Sequence, residues 1–290
     1  MSIKKEWQKL RARLKAWWEL NIAADDPDEA NAGTGYEYPW GASNPHDELY
    51  RVPELPVPSL ASCWENGAKK RHMNLLSFAF TDDQVESRLD WAAKRGCNTV
   101  HFLLCNQADG EGAGYNIYSG EPSFGKPDAG SVSRMLKRIG MARKRGLAVV
   151  LWLLTDDSER WNKAILAAPE RYVADLKLSG LLDYADAVVL GLEMDETKDG
   201  NWAGMARAIR GVYHGKIGTH HRPGHSEFAA LGDLFFLQTS DSPSVNTVKS
   251  AVSNAKKHGK PVVAFELARE PRRDLAQAAI DAGAVGVGNW

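Results

Sequence analysis

The segment DAVVLGLEMDE (186–196) decides how this chain is read. It begins as the apolar run of a fully buried strand and ends abruptly in Glu193, Asp195 and Glu196. Side chains of a strand alternate between its faces. Ala187, Val189, Gly191 and Glu193 therefore share one face, and Val188, Leu190 and Leu192 the other. If the bulky set faces covering helices, Glu193 points inward, above a glycine that leaves room beneath it. In an ordinary strand running into a polar loop these acids are incidental. In a barrel strand Glu193 is delivered to a cleft.

The surrounding sequence favours the barrel. Short apolar runs recur at HMNLLSFAF (72–80), NTVHFLLC (98–105), LAVVLWLLT (147–155), DAVVLGLE (186–193), KIGTHH (216–221), LFFLQTS (234–240), PVVAFELA (261–268) and AVGVGNW (284–290). Amphipathic segments lie between them, such as DDQVESRLDWAAKRG, SVSRMLKRIGMARKRG, SVNTVKSAVSNAKKHG and EPRRDLAQAAIDAG, each closing on glycine. Buried runs joined through helices call for parallel strands with right-handed crossovers. Eight such units predict an α/β fold, a (β/α)8 TIM barrel over 72–290, although a doubly wound sheet shares the pattern. Residues 1–20 read as an N-terminal amphipathic helix, and 21–71 as an irregular wrap or linker rich in Pro, Gly and aromatics. The helix has Ile3, Trp7, Leu10, Leu14 and Trp17 on one face and lysines and arginines on the other, so it packs on the barrel, docks on a partner protein or lies on a membrane surface.

The same alternation puts Val262, Ala264 and Glu266 on one face of the seventh run, and Ala284, Gly286, Gly288 and Trp290 on one face of the eighth. Active sites of barrels are built at the C-terminal strand ends. Glu193, Glu266 and Trp290 thus converge on one mouth. Two carboxylates facing across a cleft suit glycosidic bond cleavage, where one protonates the leaving oxygen and the other works at the anomeric carbon. An aromatic platform such as Trp290 suits the apolar face of a sugar ring.

This layout resembles that of the clan A glycoside hydrolases over about 72–290. The resemblance implies a retaining enzyme on a (β/α)8 barrel that needs no cofactor. It makes Glu193, at the end of strand 4, the acid/base and Glu266, at the end of strand 7, the nucleophile, with Trp290 matching the tryptophan common after strand 8. The family usually has Asn before the acid/base, reading the sugar 2-hydroxyl, and this chain has Leu192 there. Asn106 and Gln107, after the second run, are available for such contacts. Tyr115, Trp202, His220 and Gln238 complete the expected substrate-binding set, with Tyr115 in the long loop 106–130 and Trp202 as a cleft wall.

THHRPGH (219–225) raises a metal reading. Adjacent histidines on a strand point apart and rarely chelate one ion, and only His220 shares the inward phase of Gly218, so no metal ligands are assigned. Asp156, Asp157, Asp195 and Glu196 are helix caps or loop acids. The glycine-rich loop 108–120 lacks the pattern of a phosphate cradle.

Composition narrows the partners. At 290 residues, 43% hydrophobic and 25% charged, the chain can build a sizeable core, and a net charge of −1 offers no general attraction for nucleic acid. No run approaches the roughly 20 apolar residues of a membrane span. Cys63, Cys97 and Cys105 show no zinc-ligand spacing and are expected to be reduced and structural. The N-terminus has no signal-peptide pattern, which predicts synthesis in the cytoplasm, with virion incorporation or lysis as routes outward. The leading reading is a glycoside hydrolase acting on an oligosaccharide or polysaccharide. The alternatives are a non-catalytic carbohydrate-binding or structural barrel in a larger assembly such as a phage particle, and a metal-dependent hydrolase.

Overall fold

The computed structural model describes residues 81–288 apart from 95–96, 98, 106–115, 119, 156–158, 198, 240–241 and 268–272. The expected N-terminal helix, the wrap and the first strand lie outside the described residues. The later runs form β1 (Thr99–Leu103), β2 (Ala148–Trp152), β3 (Ala187–Val189), β4 (Lys216–His221), β5 (Leu234–Gln238), β6 (Val262–Glu266) and β7 (Gly286–Val287). Each pairs in parallel with the next, giving a seven-stranded sheet in chain order. The helices are α1 (Asp82–Lys94), α2 (Ala129–Arg143), α3 (Glu159–Ala167), α4 (Pro169–Ser179), α5 (Trp202–Arg210), α6 (Ser226–Ala229), α7 (Val245–Lys256) and α8 (Arg273–Asp281).

Local chemistry sets the helix ends. Asp128 caps α2 by accepting the Ser131 N–H at 2.7 Å, so α2 starts two residues before the expected serine. Ser244 caps α7 through the Thr247 N–H at 3.1 Å. Gly146, Gly259 and Gly283, which follow α2, α7 and α8, take φ of 67°, 70° and 91°, where a Cβ would be strained. The crossover between β2 and β3 holds both α3 and α4, a division absent from the sequence reading. Pro169 cannot continue the hydrogen-bond ladder of α3 but suits the first turn of α4.

The sheet is curled. Neighbouring strands are about 4.8 Å apart, so β1 and β6, five places apart, would be separated by about 24 Å in a flat sheet. Instead the ring of His101 on β1 is 4.6 Å from Phe265 on β6, and Trp152 on β2 is 5.0 Å from the same ring. Ala148, Val150, Trp152, Ala187, Val189, Leu234, Phe236, Val263 and Phe265 fill the interior of this α/β barrel. The alternate residues, among them Val149, Leu151, Val188, Phe235 and Val262, pack against the helices. Gly218 admits this filling, because a Cβ there would come within 2.5 Å of Phe236 and 3.2 Å of Val189.

Polar contacts fasten the N-terminal rim. Asp186 accepts the Val149 N–H at 2.7 Å and pairs with Arg143 at 2.7 Å, while Asp233 accepts the Ile217 N–H at 3.0 Å. On α1, Asp82, Glu86 and Asp90 form a stripe spaced by four residues that meets Lys137, Arg138 and Arg145. Cys97 is disulfide-bonded, correcting the expectation that it is reduced, while Cys105 is a buried thiol outside any disulfide. Among the described residues, no helix is long and apolar enough to cross a membrane.

Two further expectations are corrected here. A Cβ on Gly191 would come within 2.5 Å of the Trp202 ring, so this glycine admits the indole and does not make space beneath Glu193. Trp202 is only 2% exposed, and its indole N–H donates to the Thr197 carbonyl at 2.9 Å. It is a core residue rather than a cleft wall, because the side chain at the start of α5 covers β3. Gly191→Ala is expected to cost about 1–3 kcal/mol by overpacking, and Trp202→Ala about 3–5 kcal/mol by leaving a cavity. Denaturant melts check both, and a Trp202→Ala protein of unchanged stability would restore the cleft-wall role.

The barrel also carries buried imidazoles. Burial pushes His101 and His220 down to about 3 and His221 to about 4. His101, though not fully buried, is enclosed by Trp152, Phe236 and Phe265. A group whose folded pKa is depressed binds its proton more readily in the unfolded chain. Its contribution is complete above the unfolded value near 6.5 and is lost as pH falls from there towards 4 and 3. One pH unit below that value, stability should be lower by roughly 1 kcal/mol per histidine. Melting curves at successive pH values test this, and stability that stays level across the first pH unit below 6.5 would contradict it.

Candidate active site

Beyond β3 the chain stays wedged between its neighbours. Leu190, Leu192 and Met194 donate their N–H groups to the carbonyls of Gly218, Leu154 and His220, each at 3.0 Å. The strict alternation breaks here: Leu192, expected to face the helices, joins the interior cluster. Glu193 then takes φ 43°, the one non-glycine residue with positive φ among those described. Such a conformation costs a residue with a Cβ roughly 1–2 kcal/mol. It is met by directed contacts. The Glu193 N–H donates to His220 Nδ1 at 2.9 Å, and Gln238 Nε2 donates to Glu193 Oε1.

Glu266 reaches the same rim by a different route. The β5–β6 register runs Leu237 to Ala264 and then Gln238 to Glu266, so Phe265 is an extra residue in β6. A bulge of this kind re-aims the side chain that follows it. Val263 and Phe265 therefore face the interior and Val262 and Ala264 the helices, the reverse of the expected phase. The bulge restores Glu266 to the mouth, where its Oε2 lies 3.3 Å from His220 Nε2. Thr239 secures the turn in the strand, its N–H donating to the Glu266 carbonyl at 2.8 Å and its Oγ1 lying 2.9 and 2.7 Å from the Glu266 and Leu267 carbonyls. Glu266 is 4% exposed and sits directly above the aromatic interior.

One imidazole therefore touches the backbone of one glutamate and the carboxylate of the other. His220 is fully buried, with Trp152 at 5.3 Å and Phe265 at 6.2 Å, both edge-on. Its expected direct contact with substrate is corrected on that ground. The neighbouring His221 points the other way and stacks on Phe235 at 4.4 Å. Asp195 and Glu196 are taken up by Arg222, at 3.0 and 3.1 Å, which ties the loop after β3 to the loop after β4.

The structure thus brings together Glu193, His220, Gln238 and Glu266 from four consecutive strands. Asn106, Gln107, Tyr115 and Trp290, together with Asp156 and Asp157, lie outside the described residues. Tyr118 and Phe124, from the long loop after β1, serve that loop's anchorage. Tyr118 donates to Asp175 at 2.8 Å beside the Gly125 N–H at 2.7 Å, and Phe124 lies under Arg171. Thr239 and the pair formed by the Trp152 indole N–H and His101 Nδ1, 2.8 Å apart, went unmarked in the sequence reading. Trp152 sits in an uninterrupted apolar run, and only the break at Gln238 and Thr239 signalled a polar end to β5.

Chemically, the rim offers two carboxylic groups, an amide bonded to one of them and a neutral imidazole between them. No protein-family model matches the sequence, and no curated protein matches it. Among solved structures, the chain is similar to a glycoside hydrolase of family 5 from Bacteroides vulgatus, with 18% identity and a TM-score of 0.54 over 72% of this chain and 54% of that one. It is also similar to a further glycoside hydrolase, with 18% identity and a TM-score of 0.53 over 72% of this chain and 57% of the other. A β-mannanase of family 113 from Alicyclobacillus acidocaldarius shares 17% identity over 72% of this chain and 81% of its own, with a TM-score of 0.48. This chain spans just over half the length of the first two structures. The fold it shares with them is the α/β barrel of glycoside hydrolases.

Proposed function

We propose that the protein is a retaining glycoside hydrolase acting on an oligosaccharide or polysaccharide, with Glu193 as acid/base and Glu266 as nucleophile. The observation that carries this reading is the contact of a single imidazole with both residues, from strands at separate places on one rim. Glu266 attacks the anomeric carbon as the bond to the leaving oxygen breaks, and Glu193 protonates that oxygen. Water deprotonated by Glu193 then attacks the same carbon and releases Glu266. Gln238 donates to Glu193 Oε1 and so fixes the carboxyl group that transfers the proton. His220 Nε2 lies 3.3 Å from Glu266 Oε2, beside the carboxylate that makes the attack. Strain at Glu193 fits a site where surrounding structure holds a residue against its preference.

Glu193→Gln and Glu266→Gln should each lower sugar release by at least about 100-fold while leaving the fold intact. The two should differ on glycosides whose leaving group needs no protonation: the Glu193 variant keeps forming the covalent intermediate, and the Glu266 variant does not. Reducing-sugar assays combined with mass spectrometry of the intact protein check this. Undiminished release in either variant removes its assigned role, and glycan binding without turnover in the wild type would favour a carbohydrate-binding barrel.

A further inference from the structure

His220 is the point at which both glutamates are held, and its hydrogen bonding restricts where its proton can reside. Nδ1 receives the Glu193 N–H at 2.9 Å, so it must present a lone pair. An imidazolium carries N–H groups on both nitrogens and would set donor against donor at that contact. A neutral ring with its proton on Nδ1 would do the same. The remaining form is neutral with the proton on Nε2, the atom 3.3 Å from Glu266 Oε2. That approach falls outside hydrogen-bond alignment, so it acts as a directed charge–dipole contact. The ring has little freedom to turn, since Trp152 and Phe265 meet it edge-on and no part of it is exposed.

We propose that His220 is a positioning residue, locked as the neutral Nε2–H tautomer, that anchors the Glu193 backbone through Nδ1 and orients the Glu266 carboxylate through Nε2. Its catalytic meaning rests on the hydrolase reading above, whereas its tautomer and its anchoring do not. The anchor acts at the strained residue. Without an acceptor for its N–H, the Glu193 backbone loses the contact that opposes relaxation out of the left-handed region. Gln238 holds the other end of the same residue, so the acid of β3 is fixed by side chains from β4 and β5.

The test uses the full chain with 15N-labelled histidine and long-range 1H–15N spectra between about pH 5 and 8. The His220 signals are assigned by their loss in His220→Asn. A neutral Nε2–H pattern that persists across the range is expected, and an Nδ1–H pattern or a titration midpoint near the ordinary histidine value would overturn the proposal. Two variants separate the contacts. His220→Asn offers an amide oxygen near the place of Nδ1, and His220→Gln reaches towards that of Nε2. Backbone amide exchange at Glu193 should stay within about threefold of wild type in the first and become at least about tenfold faster in the second. Equal exchange in the two variants would also overturn the proposal, and if either fails to fold, the wild-type tautomer still decides. These readouts are independent of turnover. An Nε2–H imidazole in a protein that releases no sugar sinks the hydrolase reading alone, and sugar release with an Nδ1–H imidazole sinks the anchoring alone.

Discussion

The packing of Trp152, Phe236 and Phe265 across the barrel interior is the contact on which the rest depends. Rings from β2, β5 and β6 meet at 5.0 to 5.7 Å. A flat sheet cannot bring these strands together, so burying the rings and curling the sheet are one event. Gly218 permits it from β4, where any side chain would collide with Phe236. The aromatic layer then becomes the floor of the rim site. His220 and Glu266 rest directly on it, in surroundings with little water, which is why the imidazole stays neutral.

Placed on that floor, the rim residues follow from departures from regular strand geometry. β3 ends as a regular strand at Val189, and the chain reaches Glu193 through an irregular stretch. β6 inserts Phe265 before Glu266. Each departure turns a carboxylic side chain towards the mouth while a bulky neighbour, Leu192 or Phe265, enters the interior cluster. The strands between them, β4 and β5, supply the groups that hold both: His220 and Gln238 on Glu193, and His220 and Thr239 on Glu266. The opposite rim is fastened by Asp186 and Asp233, which satisfy backbone N–H groups without strain. The left-handed backbone of Glu193 is thus confined to the end of the barrel where the carboxylic groups gather.

The barrel was legible in the sequence because burial on both faces makes each parallel strand an apolar run, and helices of fixed length must intervene. The inward phase of β4 was legible too, since Gly218 and His220 are two residues apart in an unbroken strand. The phase of β6 was not. Counting by twos from Glu266 puts Ala264 inside, and nothing in PVVAFELA marks the bulge that reverses it. Trp202 was misread for a related reason. A tryptophan in a polar stretch looks exposed until α5 begins at that residue and turns it onto Gly191. Hydrogen-bond partners from other strands, such as Thr239 for Glu266, leave no periodic trace, because they depend on register and not on spacing along the chain.

Leu192 shows how these constraints bear on recognition. In the layout this chain resembles, the residue before the acid/base is a polar reader of the sugar, yet here that place holds a leucine that is 4% exposed and packed into the interior. A polar side chain at that point would need a partner within an apolar cluster. The nearest amide is that of Gln238, two strands away, whose Nε2 is committed to Glu193 and whose Oε1 has no hydrogen-bond partner among the described residues. An acceptor left open beside a carboxylic group is an arrangement that a hydroxyl donor can complete. With the amide presented from β5, across β4, the interior beneath Glu193 stays apolar, and β5 rather than β3 presents polarity next to it.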